Sequence, residues 1–343
     1  MIPGSPRRPP LLGLFQQRVA GDDALLELAR LRFEQAGLAA ELHADTPGAL
    51  DHVLRFAPPN ATPPVVHLNR GIDVLHEGGR AVVADFAARF AGRVGGLVVH
   101  DQASMGPRLD DLVRELRGLD AALGQGPDRP RLYLEYAAGH DLEWFVQLSE
   151  RLRDVERVSL CVDIGHVGIR HARGSFARRH PGLDLTALTP DDARLPDLAA
   201  DVQGAVASAL PAVLGLTRSL GRTGKPLHFH LHDGHPLVPG LSDHFSFLMR
   251  LPIPFAHEGR RSLAPMYGPP GLARILRAGI EACGPGRVSF TLEIHQAEGR
   301  LPLGDATPLF RHWRDLTNAE RTNHWLGVLA ENEVLAATAL QSR

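Results

Sequence analysis

The hydrophobic and polar positions of this chain follow two alternating periods. Short runs rich in β-branched and aliphatic residues predict strands at Leu11–Phe15, Ala39–Ala44, Pro64–Asn69, Gly96–Asp101, Arg131–Tyr136, Val158–Ile164, Leu227–His232 and Val288–His295. Between them lie longer stretches with apolar residues at helical spacing. In GDDALLELARLRFEQAG the positions Leu25, Leu28, Ala29 and Leu31 to Phe33 recur near a 3.6-residue period, with Asp22 and Asp23 as start signals and Gly37 as the stop. Similar helices are expected at Ala49–Phe56, Gly79–Phe90, Leu109–Leu123, Leu142–Val155, Leu198–Leu220 and Leu272–Ala282. Eight strands alternating with helices predict an α/β chain folded as a (β/α)8 TIM barrel, which carries its chemistry at the C-terminal strand ends. A doubly wound sheet shares the alternation, but no glycine-rich phosphate loop follows the first strand. The barrel is expected over residues 1–308. Residues 309–343 form a C-terminal helical extension read as two helices over Leu309–Leu340, whose stripe of Trp325, Leu326, Leu329, Leu335, Ala336 and Leu340 packs on the barrel or makes a homodimer interface.

Strand parity then sorts the side chains. In LHFHLHDGHP, the histidines His228, His230 and His232 share one face while Phe229 and Leu231 take the other. Likewise Tyr133 and Glu135 oppose Leu132 and Leu134, and Ser159, Cys161 and Asp163 oppose Leu160 and Val162. With the large aliphatics toward the helices, His67, His100, His230 and Glu293 also point inward near their strand ends. The third to eighth strands each deliver an imidazole or carboxylate to one mouth, a donor set suited to a divalent metal ion. Any one of these histidines alone has a structural reading as a hydrogen-bond partner.

Composition narrows the classes. Hydrophobic residues at 44% and charged residues at 22% fit an ordinary globular chain rather than a disordered or membrane-embedded one. A net charge of −2 gives no global footprint for nucleic acid. The two cysteines, Cys161 and Cys283, are too few for a disulfide framework, and no apolar run reaches the roughly 18 residues of a membrane span, so a cytoplasmic protein is expected.

The residues Glu135, Asp163 to His166 (D-x-G-H), His230 to Asp233 (H-L-H-D) and Glu293 resemble the xylose-isomerase-like barrel superfamily, which holds sugar and sugar-phosphate isomerases and epimerases, inosose dehydratases and endonuclease IV. The resemblance spans about Leu11 to His295 through short motifs. In its epimerase branch it implies that Glu135, Asp163, His230 and Glu293 bind one ion, with His166 as a substrate contact and the two glutamates as acid and base. In its endonuclease IV branch it implies up to three zincs, with His67, His100 and His166 as further ligands and a later Asp/His pair. That pair is Asp243 with His244, which are directly adjacent, or Asp233 with His235, which has the D-x-H spacing but lies early in the chain. A branch of multinuclear iron oxidases that modify peptides shares much of the pattern. The implied cofactor is therefore one to three divalent ions per chain, Mn, Zn, Co or Fe.

Chemistry read from the residues agrees with the first branch. Carboxylates on either side of a bound carbonyl compound can remove and return a proton α to that carbonyl, and Glu135 and Glu293 are the natural pair. Two long connections should select the substrate. The one after the sixth strand, Val167 to Pro196, carries Arg170, Arg173, Arg178 and Arg179; the one after the seventh, Gly234 to Pro265, carries Asp243, His244, His257, Arg260 and Arg261, followed by a turn-like GPPG. His232, Asp233, Arg170 and Arg260 are the expected substrate contacts, and a small molecule rather than nucleic acid is the expected partner. The resulting expectation is a metal-dependent isomerase or epimerase of a small polyhydroxy-carbonyl compound. Its rivals are a multinuclear zinc phosphodiesterase, an iron-dependent oxidase and a barrel that binds metal and a partner without turnover.

Overall fold

The computed structural model describes residues 8–15, 21–59, 62–124, 126, 128–188, 192–238, 244–257, 259–263, 265–294 and 317–341, with the backbone alone at 251–257, 261–263 and 318. Eight strands close into a parallel barrel: β1 (Leu11–Phe15), β2 (Ala39–Ala44), β3 (Val65–Leu68), β4 (Gly96–His100), β5 (Arg131–Glu135), β6 (Val158–Asp163), β7 (Leu227–Leu231) and, after a separate hairpin of β8 (Leu251–His257) and β9 (Arg260–Leu263), β10 (Val288–Leu292). β10 pairs with β1 to complete the ring. The helices are α1 (Asp23–Ala36), α2 (Pro47–Leu54), α3 (Glu77–Arg89), α4 (Leu109–Leu123), α5 (Leu142–Arg151), α6 (Ile164–Arg179), α7 (Leu195–Ala207), α8 (Ala209–Gly221), α9 (Gly268–Cys283) and α10 (Asn318–Gln341). The chain is an α/β TIM barrel with a C-terminal helix, as the two periods imply.

Local signals act where expected. Asp22 caps α1 by accepting the N–H of Leu25 through its side chain, and Gly37 ends the helix in the left-handed region at φ 67°. Thr46 caps α2, with Pro47 in its first turn, where a missing N–H costs nothing.

The chain divides into two compact units. One comprises residues 1–163, 216–230 and 278–292 and contains nearly the whole barrel sheet; the other comprises 164–215, 231–277 and 293–343. In the first unit, alternate residues Leu12, Ala39, Val65, Val98, Tyr133 and Cys161 form a buried cluster, one residue from each of β1 to β6. In the second, α7 lays Leu195, Leu198, Ala199 and Val202 against Ala172 and Phe176 of α6.

Several expectations are corrected. The residues after the sixth strand do not begin a loop: α6 starts at Ile164, directly after Asp163, so His166 and Arg170 to Arg179 are helical. The expected helix Leu198–Leu220 is two helices that meet at Ser208. Together, Leu195–Gly221 is long and apolar enough to cross a membrane by length and composition, where no such run was expected. Packing of α7 on α6 gives that apolar face a protein partner. The connection after the seventh strand contains the β8–β9 hairpin, and GPPG is the first turn of α9 rather than a free turn. Of the two helices expected over Leu309–Leu340, residues 309–316 lie outside the described residues, and the described part is the single helix α10. Its Trp325, Leu326, Leu329 and Ala336 are buried within the second unit, where Trp325 Nε1–H donates to the Ile294 carbonyl at 2.9 Å.

Candidate metal centre

Register explains how the barrel gathers its polar groups. His100 lies beside Glu135 across β4–β5, Glu135 beside Cys161 across β5–β6, and Asp163 beside His230 across β6–β7. Because side chains alternate, each of these inward positions follows an outward apolar residue in its strand: Val99, Leu134, Leu160, Val162 and Phe229. Most of these strands end at, or one residue before, the chemical group: β4 at His100, β5 at Glu135, β6 at Asp163. His232 and Glu293 fall just beyond β7 and β10, although the sequence placed both within strands.

In the first unit, Glu135, Asp163 and His230 are buried, with one donor atom each within 4.8 Å of the others. His67, His100 and Glu135 form a second group of the same kind, sharing Glu135. His67 Nε2 is 2.9 Å from Glu135 Oε2, His100 Nε2 is 3.4 Å from the same oxygen, and the two imidazole nitrogens are 3.2 Å apart. His67 Nδ1 stands 3.0 Å from the Leu68 carbonyl, which can only accept, so Nδ1 carries a proton. A neutral His67 therefore turns a lone pair toward Glu135 and His100, so either a hydrogen on His100 Nε2 or a bound cation joins the three groups, and two imidazoles with a carboxylate are an ordinary donor set for zinc or iron. Burial pushes the Glu135 carboxyl up, but the imidazoles of His100 and His230 outweigh it and hold it well below the usual range.

In the second unit, His166, His232 and His244 also bring one ring nitrogen each within 4.8 Å of one another. The rings of His232 and His244 are 4.0 Å apart at their centroids, and His166 is 5.6 Å from each. His244 Nε2 lies 3.8 Å from Glu293 Oε2. His232 Nδ1 is 2.9 Å from the Asp233 carbonyl, which can only accept, so in a neutral ring Nδ1 carries the proton and Nε2 the lone pair.

The remaining expected residues have other places. Asp233 has both carboxylate oxygens engaged by backbone donors: Oδ1 accepts the N–H of Gly234, Met266 and Tyr267, and Oδ2 those of Tyr267 and Gly268. It thus caps the N-terminus of α9 from a buried position. His235 is buried next to it, and burial pushes its imidazole down to about 4. Arg173 donates to the Pro236 and Val238 carbonyls and Arg179 pairs with Asp201, which leaves these two committed to protein groups. Arg170 is exposed on α6 and Arg260 is exposed on β9. Asp243 lies outside the described residues, as do the side chains of His257 and Arg261.

Sequence reasoning predicted the second strand at Ala39–Ala44 but assigned none of its residues to the site. Glu41 and His43 stand on the same inward face of β2 as Ala39. Glu41 is fully buried, with Oε2 2.9 Å from His228 Nε2 and Oε1 2.8 Å from His230 Nε2. His43 stacks on His67 at 4.6 Å, and burial beside that ring pushes it down to about 3. The alternation in AAELHA was the signal that could have found both.

No family model matches the chain, and no curated protein matches it. Among solved structures it is similar to the carboxyl transferase domain of Rhizobium etli pyruvate carboxylase. One is a variant with pyruvate, at 14% identity and TM-score 0.40 over 98% of this chain and 49% of that one. Another structure of the domain gives 14% and 0.40 over 96% and 48%. The chain spans about half the length of these solved chains. The barrel assignment rests on the strand pairing within the chain itself.

Proposed function

We propose that the chain is a metal-dependent enzyme of the xylose-isomerase-like class that isomerises or epimerises a small polyhydroxy-carbonyl compound. The observation that carries this reading is the buried set of Glu135, Asp163 and His230, three donors of mixed oxygen and nitrogen type at neighbouring strand ends. Glu293, the residue after β10, is the proposed fourth ligand. A divalent ion there would polarise the carbonyl and stabilise the enediolate oxygen. Glu135 and Glu293 would remove and return the proton on the adjacent carbon, and His166 would hold a substrate hydroxyl. With Asp233 occupied by backbone N–H groups, His232, Arg170 and Arg260 remain the proposed substrate contacts. The near-neutral chain supports a small ligand over duplex DNA, whose binders neutralise several phosphates.

A second reading has its own support. The His67–His100–Glu135 group and the His166–His232–His244 group favour more than one ion, as a multinuclear phosphodiesterase or iron oxidase would hold. One assay set separates the readings: metal-loaded protein is offered aldoses and ketoses, free and phosphorylated, in deuterated water. Deuterium entering the carbon next to the carbonyl supports the isomerase. Cleavage of an abasic duplex supports the phosphodiesterase, and oxygen consumption with iron supports the oxidase; either, without deuterium exchange, overturns the first reading.

A further inference from the structure

Beneath the candidate ligands, a buried polar chain links three strands of the first unit. Ser289 Oγ is 2.7 Å from His228 Nδ1, and His228 Nε2 is 2.9 Å from Glu41 Oε2. The same carboxylate oxygen accepts the Thr291 hydroxyl at 2.5 Å, and its other oxygen lies 2.8 Å from His230 Nε2. Glu41, His228 and His230 are each fully buried, so no bulk water competes for these contacts.

The protons can be placed from this geometry. An ionised carboxylate only accepts, and a bare nitrogen lone pair 2.8 Å from its oxygen would be repelled, so His230 Nε2 carries a proton. A neutral His230 then has its lone pair on Nδ1, the nitrogen that stands 3.5 Å from Glu135 Oε2. His228 follows the same logic: its Nε2–H faces Glu41 and its Nδ1 accepts from Ser289. Glu41 thus selects which nitrogen of His230 faces the Glu135–Asp163 set.

We propose that Glu41 is a positioning residue of the metal centre, whose carboxylate, 2.8 Å from His230 Nε2, keeps the ring proton on that nitrogen so that Nδ1 is presented to a divalent ion. The inference rests on the metal-centre reading above and adds a strand, β2, that no ligand assignment uses. A carboxylate behind a ligating imidazole fixes its tautomer and raises its basicity, and loss of such a partner lowers metal affinity by about 10–100-fold. Gln cannot replace it. One amide oxygen can serve one imidazole only, and the amide N–H₂ would oppose the N–H of the other.

The test uses the full chain with Co²⁺ as the probe. Nitrogen-15 spectra of metal-stripped wild type, with His230 assigned through its loss in His230→Asn, should show the Nε2–H tautomer. Glu41→Gln should bind Co²⁺ about 10–100-fold more weakly, measured against a chromophoric chelator, with a changed Co²⁺ absorption band. Glu41→Asp should recover part of both. A wild-type His230 protonated on Nδ1 alone overturns the proposal without any variant, so a Glu41→Gln chain that fails to fold does not shield it. Equal Co²⁺ affinity in folded Glu41→Gln and wild type also overturns it while leaving the metal centre standing. Wild type that binds no Co²⁺ removes the metal-centre reading, and this proposal with it.

Discussion

The imidazole of His232 lies directly over the backbone of Gly165: a Cβ built on that glycine would sit 1.8 Å from His232 Cε1 and 2.4 Å from both ring nitrogens. The glycine of the D-x-G-H motif is therefore a steric requirement of the imidazole cluster. Gly165→Ala should displace His232 or α6 and cost about 1–3 kcal/mol, the usual penalty of overpacking. Denaturant unfolding reads that loss. If His232 serves an ion, metal content should fall in the same variant, and an unchanged stability would show that the ring moves without resistance.

The two groups that share Glu135 make a stoichiometric prediction. His67→Ala with His100→Ala should lower the ions per chain by one and spare the ion at Glu135, Asp163 and His230, because those three groups are mutually within reach without either histidine. Metal analysis of protein purified without chelator decides it. A wild type that never exceeds one ion returns His67 and His100 to hydrogen-bonding roles.

Asp233 separates a structural role from a substrate role. Removing its carboxylate strands the N–H groups of Gly234, Tyr267 and Gly268 in a buried environment, while that of Met266 keeps the Gly234 carbonyl at 3.1 Å. Asp233→Ala should cost on the order of 3–5 kcal/mol, since each buried donor left without an acceptor costs about 1–3 kcal/mol and water or local adjustment recovers part. Asp233→Asn keeps one acceptor oxygen and should lose less. A stable Asp233→Ala protein with altered substrate affinity would restore the substrate assignment.

Most of the barrel was legible because its sheet is built from inward and outward alternation, and parity at Glu135, Asp163 and His230 needs no tertiary information. Three things were hidden for physical reasons. β2 reads as AAELHA, whose one glutamate and one histidine look like a solvated strand until the ring closes and buries both faces. The arginines after β6 looked like an anion-binding loop because Gly165, Gly168 and Gly174 dilute the helical pattern of α6; Gly168 is needed where Tyr267 approaches to donate its hydroxyl to Ile164. Asp233 looked like a site residue because its partners are backbone N–H groups some 33 to 35 residues away, which no residue pattern announces.

Lys225 is the only lysine of the chain, and it is buried just before β7 with its ammonium donating to the Val155 carbonyl. Burial, with Arg131 nearby, pushes it down to about 8, while Asp120 and Asp154 pull the other way. An unfolded lysine titrates near ~10.4. Between these values the unfolded chain binds a proton that the folded chain does not, so stability should rise as the pH goes from about 8 to ~10.4 and stay flat for this group below 8. The full shift corresponds to about 3 kcal/mol. Screening at the charged end reduces the expected rise to about 1–2 kcal/mol. No other lysine titrates in that window, so Lys225→Met should remove this component cleanly, leaving only the slope from tyrosine and cysteine. Urea unfolding at pH 8 and pH 10 measures it. Equal pH slopes in wild type and Lys225→Met would mean that the ammonium keeps its hydration in the fold.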